Sequence, residues 1–247
     1  MTRLPGETII EFRGVEKALG ASFPLRIGEF TLRKNERVVL RGLPGAMGEA
    51  FVNLIIGALV PDQGEVTVFG KNTREIRTDT EWLQSLDRFG LVSDRAVLLD
   101  QSTVAENLAL PMTLSIDPMA PDVRAAVEAL AREVGLPPAS LDRPLSEAVA
   151  GSRVARTRIH LARALAHSPS VLLLEHPTLT HGAAGHLFGA TLRTIADARN
   201  LSVMCVSDDD RFARESGAQR LMVEDDGVVR PAGFALRRFL PRGFGGS

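Results

Sequence analysis

The chain has 247 residues, of which 45% are apolar and 24% are charged, and its formal net charge at pH 7 is −1. A chain this close to neutral gives no electrostatic reason to expect nucleic acid as its main partner. The single cysteine, Cys205, excludes an intramolecular disulfide and fits a reducing compartment. The N-terminus has no apolar signal core, and the longest apolar runs fall far short of the roughly 20 residues that span a bilayer. We therefore expect a cytoplasmic protein.

The N-terminal part of the sequence alternates β-rich segments with turn residues. A segment rich in glycine and proline at 41–50 interrupts this pattern, and the apolar stretch that follows at 51–59 has helical character. The pattern predicts a β-rich region that contains one strand–turn–helix unit. Its predicted strands are residues 8–12, 29–32, 37–40 and 65–69.

The middle of the chain becomes helical after a short buried-type strand at 89–92. Thr103 and Glu106 have the spacing of a capping box at the start of a helix. Residues 121–134 carry apolar side chains at helical spacing and end at Gly135, and a basic helix is predicted at 153–166.

The C-terminal part alternates strands with a helix. The apolar run VLLL at 171–174 is typical of a strand that is buried on both faces. A helix at 184–198 and strands at 201–206 and 220–224 follow it. This alternation predicts a parallel sheet covered by helices on both faces, with the helical block at about 95–160 as an insertion.

One segment has the arrangement that cradles phosphate. A strand ending in Leu40 is followed by Gly42, Gly45 and Gly48 and then by a helix. Glycines let backbone amides approach an anion, and the helix N-terminus adds partial positive charge. A working loop reads G-x-x-x-x-G-K-[ST]. Counted from Gly42, the position of the lysine is occupied here by Gly48, and the position of the Ser/Thr by Glu49. The alternative is a plain glycine-rich turn between a strand and a buried helix.

The carboxylate of Glu49 bears directly on phosphate binding. In a working loop the hydroxyl at this position ligates Mg²⁺, and the preceding lysine neutralises the phosphates. A carboxylate beside phosphate oxygens is repelled instead, by roughly 4 kcal/mol at about 4 Å and an effective dielectric of about 20. Solvent screening reduces this energy, but its sign opposes binding.

Several stretches together resemble the ABC-transporter nucleotide-binding subunits. The segment 41–70 resembles the family's run from the phosphate loop into GL-x-x-P-x-x-GEV-x-x-x-G, and TVAENLALP (103–111) is similar to TVxENVALP. LARALAHSPSVLLLEHPT (161–178) is similar to ARALxxxPxLLLLDEPT, and MVEDDGVV (222–229) to an xLxDGxIV hairpin. The stretches occur in the family's order from about residue 8 to 230, so the resemblance covers most of the chain.

The resemblance implies an α/β fold with a parallel-sheet RecA-like P-loop core, an N-terminal antiparallel β-subdomain and an inserted α-helical subdomain. The whole chain, 1–247, would be a single nucleotide-binding domain. Its core would comprise about residues 1–94 and 160–230, its helical subdomain 95–159 and its basic tail 231–247.

The family's nucleotide-binding positions fall on other residue types in this chain. The resemblance places the adenine-stacking aromatic at Leu19, the loop glutamine at Asp94, the Walker B aspartate at Glu175, the catalytic glutamate at His176 and the switch histidine at Asp208. Leucine offers no π-stack, and the change from aspartate to glutamate is the mildest of the five.

The position of the family's signature motif is open. Counted back from ARALA, its Ser-Gly-Gly falls on Ser152, Arg153 and Val154, so that only the serine is retained. Alternatively, LSEA (145–148) is the signature, with Ser146 as its serine and an insertion after it.

These replacements predict a pseudo-ATPase, because ATP hydrolysis depends on positioned charges that the chain lacks. We expect neither ATP nor Mg²⁺ as a cofactor.

The resemblance implies a non-hydrolysing subunit that pairs with a like or unlike ABC ATPase and docks on a transmembrane permease through the cleft around residues 94–107. The subunit would lie at the cytoplasmic side of the inner membrane, with a lean towards lipid or lipoprotein transport. The basic tail either contacts anionic lipid or is a plain terminus.

Two other functions remain open. In a divergent ATPase, His176 would act as the base and Glu175 would hold Mg²⁺. A free-standing regulatory protein would use the ABC fold without a transporter. His176, His181 and His186 lie five residues apart, which does not place them on one helical face, so no metal site is predicted.

Overall fold

The computed structural model describes residues 6–20, 22–76, 78–177 and 185–232, which form two sheets with helices packed around them. The strands are β1 (Thr8–Leu19), β2 (Ser22–Arg33), β3 (Arg37–Arg41), β4 (Gln63–Val68), β5 (Lys71–Asn72), β6 (Phe89–Val92), β7 (Val171–Glu175), β8 (Ser202–Val206), β9 (Gln219–Val223) and β10 (Val229–Pro231). The helices are α1 (Ala46–Ile55), α2 (Asp79–Leu86), α3 (Val104–Ala109), α4 (Pro121–Glu133), α5 (Leu145–Ala148), α6 (Arg153–Leu165), α7 (Gly185–Arg199) and α8 (Asp210–Glu215). No helix in these ranges is long and apolar enough to cross a bilayer.

The first sheet is antiparallel and has the strand order β2-β1-β4-β5. β1 and β2 form a long hairpin, of which the predicted strands at 8–12 and 29–32 are only parts. The strands extend further because polar residues continue the pairing on the exposed face. Glu16, for example, lies opposite Arg26 and accepts a hydrogen bond of 2.9 Å from its Nε.

The second sheet has the order β10-β9-β3-β8-β7-β6. All neighbouring strands are parallel except β10 and β9, which form a hairpin. The predicted parallel sheet is therefore confirmed, and the VLLL run forms β7 with all four residues buried. Because the carboxyl ends of parallel strands share one edge, the residues after β3, β6, β7 and β8 come together there.

The helix after the glycine-rich turn starts and ends earlier than predicted. It covers Ala46–Ile55 instead of 51–59. Gly45, with φ of 50°, turns the chain directly into the helix, and Gly57 has φ of 72°, which no helical residue adopts. The glycine-rich turn is consequently shorter than the sequence pattern suggested.

Helix α2 was not predicted from the sequence. Thr78 caps it by accepting a hydrogen bond from the backbone N–H of Glu81 at 3.2 Å. No residue of α2 is buried, so the sequence carries no apolar period there.

The capping box predicted at the start of α3 is confirmed. The Thr103 hydroxyl accepts from the Glu106 N–H at 3.1 Å, and the Thr103 N–H donates to the Glu106 carboxylate at 2.8 Å. Helices α3 to α6 all lie between β6 and β7 in the sequence, as expected for an insertion. The exact limits of the helical subdomain and of the tail remain predictions, and residues 233–247 lie outside the described part.

The parallel sheet separates two hydrophobic cores. Alternate side chains of its strands, such as Leu172, Leu174 and Cys205, face the helices α3, α4, α6 and α7. The others, such as Leu173 and Met204, face α1 and the antiparallel sheet. Cys205 is a fully buried core residue, and burial raises the pKa of its thiol.

Three phenylalanines join the antiparallel sheet to α1. Phe51 stacks on Phe12 with ring centroids 4.8 Å apart and meets Phe30 edge-on at 5.9 Å. All three rings are buried. This cluster fixes the position of α1, and with it the glycine-rich turn, relative to the first sheet.

We predict that Phe51→Ala destabilises the fold by about 3–5 kcal/mol, because it leaves a cavity between two aromatic neighbours. Phe23→Ala is the matched control, since Phe23 is 84% exposed and its loss should change stability by less than about 0.5 kcal/mol. Chemical denaturation followed by circular dichroism measures both. Equal effects of the two substitutions would contradict the assigned role of the cluster.

Candidate functional site

The glycine-rich turn lies at the carboxyl edge of the parallel sheet, between β3 and α1. Gly42 has φ of 82°, and a Cβ at this position would lie 2.4 Å from the carbonyl oxygen of Val223. Only glycine fits there. The Gly42 N–H donates to the Asp208 carboxylate at 3.1 Å, while the Glu49 N–H donates to the Gly45 carbonyl at 3.2 Å. The turn therefore has internal partners for these amides.

Asp208, at the predicted switch position, is itself held by Arg41. The guanidinium of Arg41 donates to the Asp208 carbonyl at 3.3 Å and to the Asp210 carboxylate at 2.6 Å. Its Nε lies 3.9 Å from the Asp208 carboxylate. This arrangement directs the Asp208 carboxylate at the backbone of the glycine-rich turn.

His176 lies directly against Gly48. It follows β7 with φ of 44°, and its N–H donates to the Val206 carbonyl at 2.9 Å. A Cβ at Gly48 would lie 2.7 Å from His176 Nε2, and that buried nitrogen has no hydrogen-bond partner among the described residues. The absence of a side chain at Gly48 therefore provides the space that the imidazole occupies.

Arg95 joins the turn to β7, and the sequence analysis did not single it out. Its Nη1 donates to the Glu49 carboxylate at 2.9 Å. Its Nη2 and Nε donate to Glu175 Oε2 at 2.6 and 3.1 Å, and the Ser93 hydroxyl donates to the same oxygen at 3.2 Å. We call this group of four side chains the Arg95 clamp.

The Arg95 clamp contains two ion pairs, Arg95–Glu175 and Arg95–Glu49, which we call its Glu175 arm and its Glu49 arm. The two arms differ in exposure. The side chain of Glu175 is 11% exposed, whereas that of Glu49 is 45% exposed. Solvent-exposed ion pairs contribute about 0.2–1 kcal/mol. Charged hydrogen bonds in less solvated places contribute about 1.5–3 kcal/mol. The Glu175 arm is therefore the stronger one, and the Glu49 arm connects it to α1.

Leu19, at the predicted adenine position, lies at the end of β1. It is half-buried and packs against the core between the parallel sheet, α1 and the antiparallel sheet. A pocket of about 260 Å³ lies beside the glycine-rich turn, between the start of β2, Leu43 and Met47. Phe23, an exposed aromatic side chain that the sequence analysis did not weigh, lines this pocket. Leu19 is not among the residues that line it.

Ser152, the first candidate for the signature serine, caps α6. Its hydroxyl accepts from the Ala155 N–H at 3.3 Å. Arg153 begins the helix and is exposed, and Val154 is half-buried. Ser146, the alternative, lies in α5 with its N–H donating to the Asp100 carbonyl at 3.1 Å. The choice between the two serines stays a prediction.

A cleft of about 570 Å³ separates residues 94–98 from the start of α6. We call it the α6 cleft. Asp94, Arg95 and Val97 line one wall, and Ser152 and Arg153 belong to the other. The structure thus brings the predicted glutamine-loop and signature positions to one cavity, which Arg95 connects to the glycine-rich turn.

His160 lies at the floor of the α6 cleft and is 95% buried. Burial lowers the pKa of its imidazole, the nearby Asp94 carboxylate opposes this shift, and Arg163 and Arg156 reinforce it. Burial therefore favours the neutral form of this imidazole.

Some of the predicted residues lie outside the described part of the chain. These are His181, the side chain of His186 and the basic tail beyond residue 232. Across the described ranges, no three or more His, Cys, Asp or Glu side chains are arranged to hold a metal ion.

The chain resembles several characterised ATP-binding proteins. It is 29% identical over 210 residues to the ribose import ATP-binding protein 2 of Rhizobium etli, spanning 81% of this chain and 39% of the relative. It is 27% identical over 189 residues to the ATP-binding protein of the lipoprotein-releasing system of Pseudomonas syringae pv. tomato, spanning 76% and 81%. It is 25% identical to the methionine import ATP-binding protein of Brucella abortus, spanning 91% of this chain and 59% of the relative.

Solved structures agree with the fold. A dimeric ATP-binding cassette in a post-hydrolysis state with ADP and Pi superposes with a TM-score of 0.70 at 21% identity, over 90% of this chain and 97% of the other. A nucleotide-free cassette from an ABC transporter gives a TM-score of 0.69 at 16% identity, over 90% and 89%. The α/β cassette fold implied by the resemblance is therefore confirmed. The sequence model of the ABC transporter family matches residues 25–179, more than half of the chain, and the chain belongs to that family.

Proposed function

We propose that this chain is a non-hydrolysing ATP-binding-cassette subunit of an ABC transport complex, with a structural or regulatory role beside a transmembrane permease. The observation that carries the proposal is the Arg95 clamp. A guanidinium joins Glu49 and Glu175. The resemblance places these two residues at the family's metal-ligating positions. The position where a working cassette needs a metal ion and phosphate is spanned by a side chain of the protein itself.

The residues of the glycine-rich turn do not fit a magnesium–nucleotide complex. No lysine stands at Gly48, and its Cα faces the imidazole of His176. Glu49 supplies a carboxylate in place of a hydroxyl, and Arg95 neutralises it. The repulsion expected from a bare carboxylate is thereby reduced, but the phosphate loses its lysine and the metal loses its hydroxyl ligand.

We predict that Mg-ATP at about 5 mM does not raise the Tm of the purified chain. A ligand present at about 100 times its Kd would raise the free energy of unfolding by about 2.7 kcal/mol, which is readily seen as a higher Tm. Differential scanning fluorimetry with Mg-ATP, with ATP in EDTA and with Mg²⁺ alone measures this. A rise in Tm that requires both Mg²⁺ and ATP would refute the absence of nucleotide binding.

A divergent ATPase is the second candidate function, and one observation favours it. His176 Nε2 is buried without a hydrogen-bond partner in the described structure. The resemblance places His176 at the position of the family's general base.

We expect the unmodified chain to release phosphate from Mg-ATP no faster than the His176→Ala variant. Turnover by the unmodified chain that disappears in His176→Ala would replace our proposal with this one.

The relatives suggest the setting in which such a subunit acts. They belong to import systems for ribose and methionine and to a lipoprotein-releasing system. The lean towards lipid or lipoprotein transport is consistent with the lipoprotein-releasing relative, of which the chain covers 81%. The similar cassette with ADP and Pi is dimeric, and we propose a like or mixed pair for this chain as well.

The α6 cleft is the proposed docking site for the permease, and the location at the cytoplasmic side of the inner membrane follows from that docking. Val97 lines the cleft with 74% of its surface exposed, beside Leu98. An exposed apolar side chain at the rim of a large cleft is a suitable contact for a short partner segment.

We predict that Val97→Asp lowers the recovery of co-purifying permease at least tenfold, because a charge is then buried in the contact. Leu114→Asp is the matched control, since Leu114 is 91% exposed and does not line the cleft. Affinity purification from detergent-solubilised membranes, with identification of the co-purifying chains, measures the recovery. A chain found only in the soluble fraction, without a permease or a second ATPase, would favour a free-standing regulatory protein.

A further inference from the structure

We propose that Arg95 fixes residues 93–98, one wall of the α6 cleft, to the glycine-rich turn without any nucleotide. The proposal rests on the proposed function only for the use of the cleft as a docking site. The fixed conformation itself belongs to the isolated chain. In this view Arg95 is a positioning residue that keeps the wall of the cleft in one conformation, whether or not a partner or nucleotide is bound.

Residues 93–98 have little backbone structure of their own. They belong to no helix or strand. Within them the Ala96 N–H donates to the Ser93 carbonyl at 3.1 Å, and the Arg95 N–H donates to the Ser93 hydroxyl at 3.2 Å. Two such bonds do not define the path of six residues, so side-chain contacts with neighbouring elements must do so.

The far end of this segment is held by the helical region. The side chain of Asn107, which is completely buried, accepts from the Leu99 N–H at 2.8 Å and donates to the Leu99 carbonyl at 2.9 Å. Arg163 Nη1 donates to the Val97 carbonyl at 2.7 Å. These contacts all lead to α3 and α6.

The near end follows β6, and within the described residues its side-chain hydrogen bonds and ion pairs to other elements belong to the Arg95 clamp. Its contacts lead to Glu175 at the end of β7 and to Glu49 in the first turn of α1. The clamp therefore links the glycine-rich turn, through one side chain, to the wall of the α6 cleft. This link needs no bound metal or phosphate, because side chains of the protein itself form it. Since an arginine stays charged at all physiological pH values, the link does not depend on pH either.

Hydrogen exchange of the isolated chain, without nucleotide or partner, tests the proposal. In Arg95→Ala we expect the amides of residues 95 and 96 to exchange at least tenfold faster, relative to their intrinsic rates in each sequence. The amide of Leu99 should keep its protection, because Asn107 still holds it. Arg95→Lys, which keeps one charge but lacks the planar fork, should give an intermediate rate at Arg95 and Ala96.

Two further variants make the test specific. Arg153→Ala is the matched control, since Arg153 lines the same cleft and has no ion-pair partner among the described residues, and it should leave the rates unchanged. Glu49→Ala changes a half-exposed residue of α1 and leaves Glu175 in place, so it should fold even if Arg95→Ala does not. It should still accelerate exchange at Arg95 and Ala96.

Unchanged exchange at Arg95 and Ala96 in both Arg95→Ala and Glu49→Ala would overturn the proposal. Acceleration in Arg95→Ala without any in Glu49→Ala would overturn the link to the glycine-rich turn. A failure to recover a permease would instead refute the proposed function, and it would leave the exchange result intact.

Discussion

Two carboxylates that meet at one edge of a parallel sheet are the constraint on which this site depends. Glu175 ends β7 and Glu49 lies in the first turn of α1, and the fold brings both to the position of Arg95. A carboxylate that is only 11% exposed, as Glu175 is, needs a partner in the fold, because an unpaired charge there is costly. The guanidinium provides that partner, and in doing so it ties the turn, the sheet and the segment after β6 together.

The same principle applies on the other side of the turn. The backbone N–H of Gly42 donates to Asp208, which Arg41 in turn holds, and His176 packs in the space left by Gly48. The backbone N–H of Gly42 thus has a partner in the chain, whereas Nε2 of His176 has none among the described residues. This explains how the glycine-rich turn keeps a defined shape although the residues that would bind phosphate are of other types.

The sequence predicted the layers and order of the fold well, because continuous apolar runs and glycine turns record burial and chain reversal directly. It missed α2, whose residues are all at least partly exposed, and it placed the start of α1 too late because Gly45 leads into the helix. In the site it named the carboxylates but overlooked Arg95, because the sequence separation from Glu49 and Glu175 conceals the contact. A second acid, Glu49, beside the acid that the resemblance already places at Glu175 was the available signal, since such a pair requires a cation.

The nature of that cation decides how the site behaves. A metal ion and a phosphate leave and return, so a site built around them changes its conformation with their concentration. Arg95 belongs to the chain, and its planar fork donates to both carboxylates at once. In the function that we propose, the interaction energy that a working cassette obtains from its ligand is part of folding. The link between the glycine-rich turn and the α6 cleft is then kept without depending on nucleotide. Under this proposal, a cassette without a ligand still presents a defined surface to a partner.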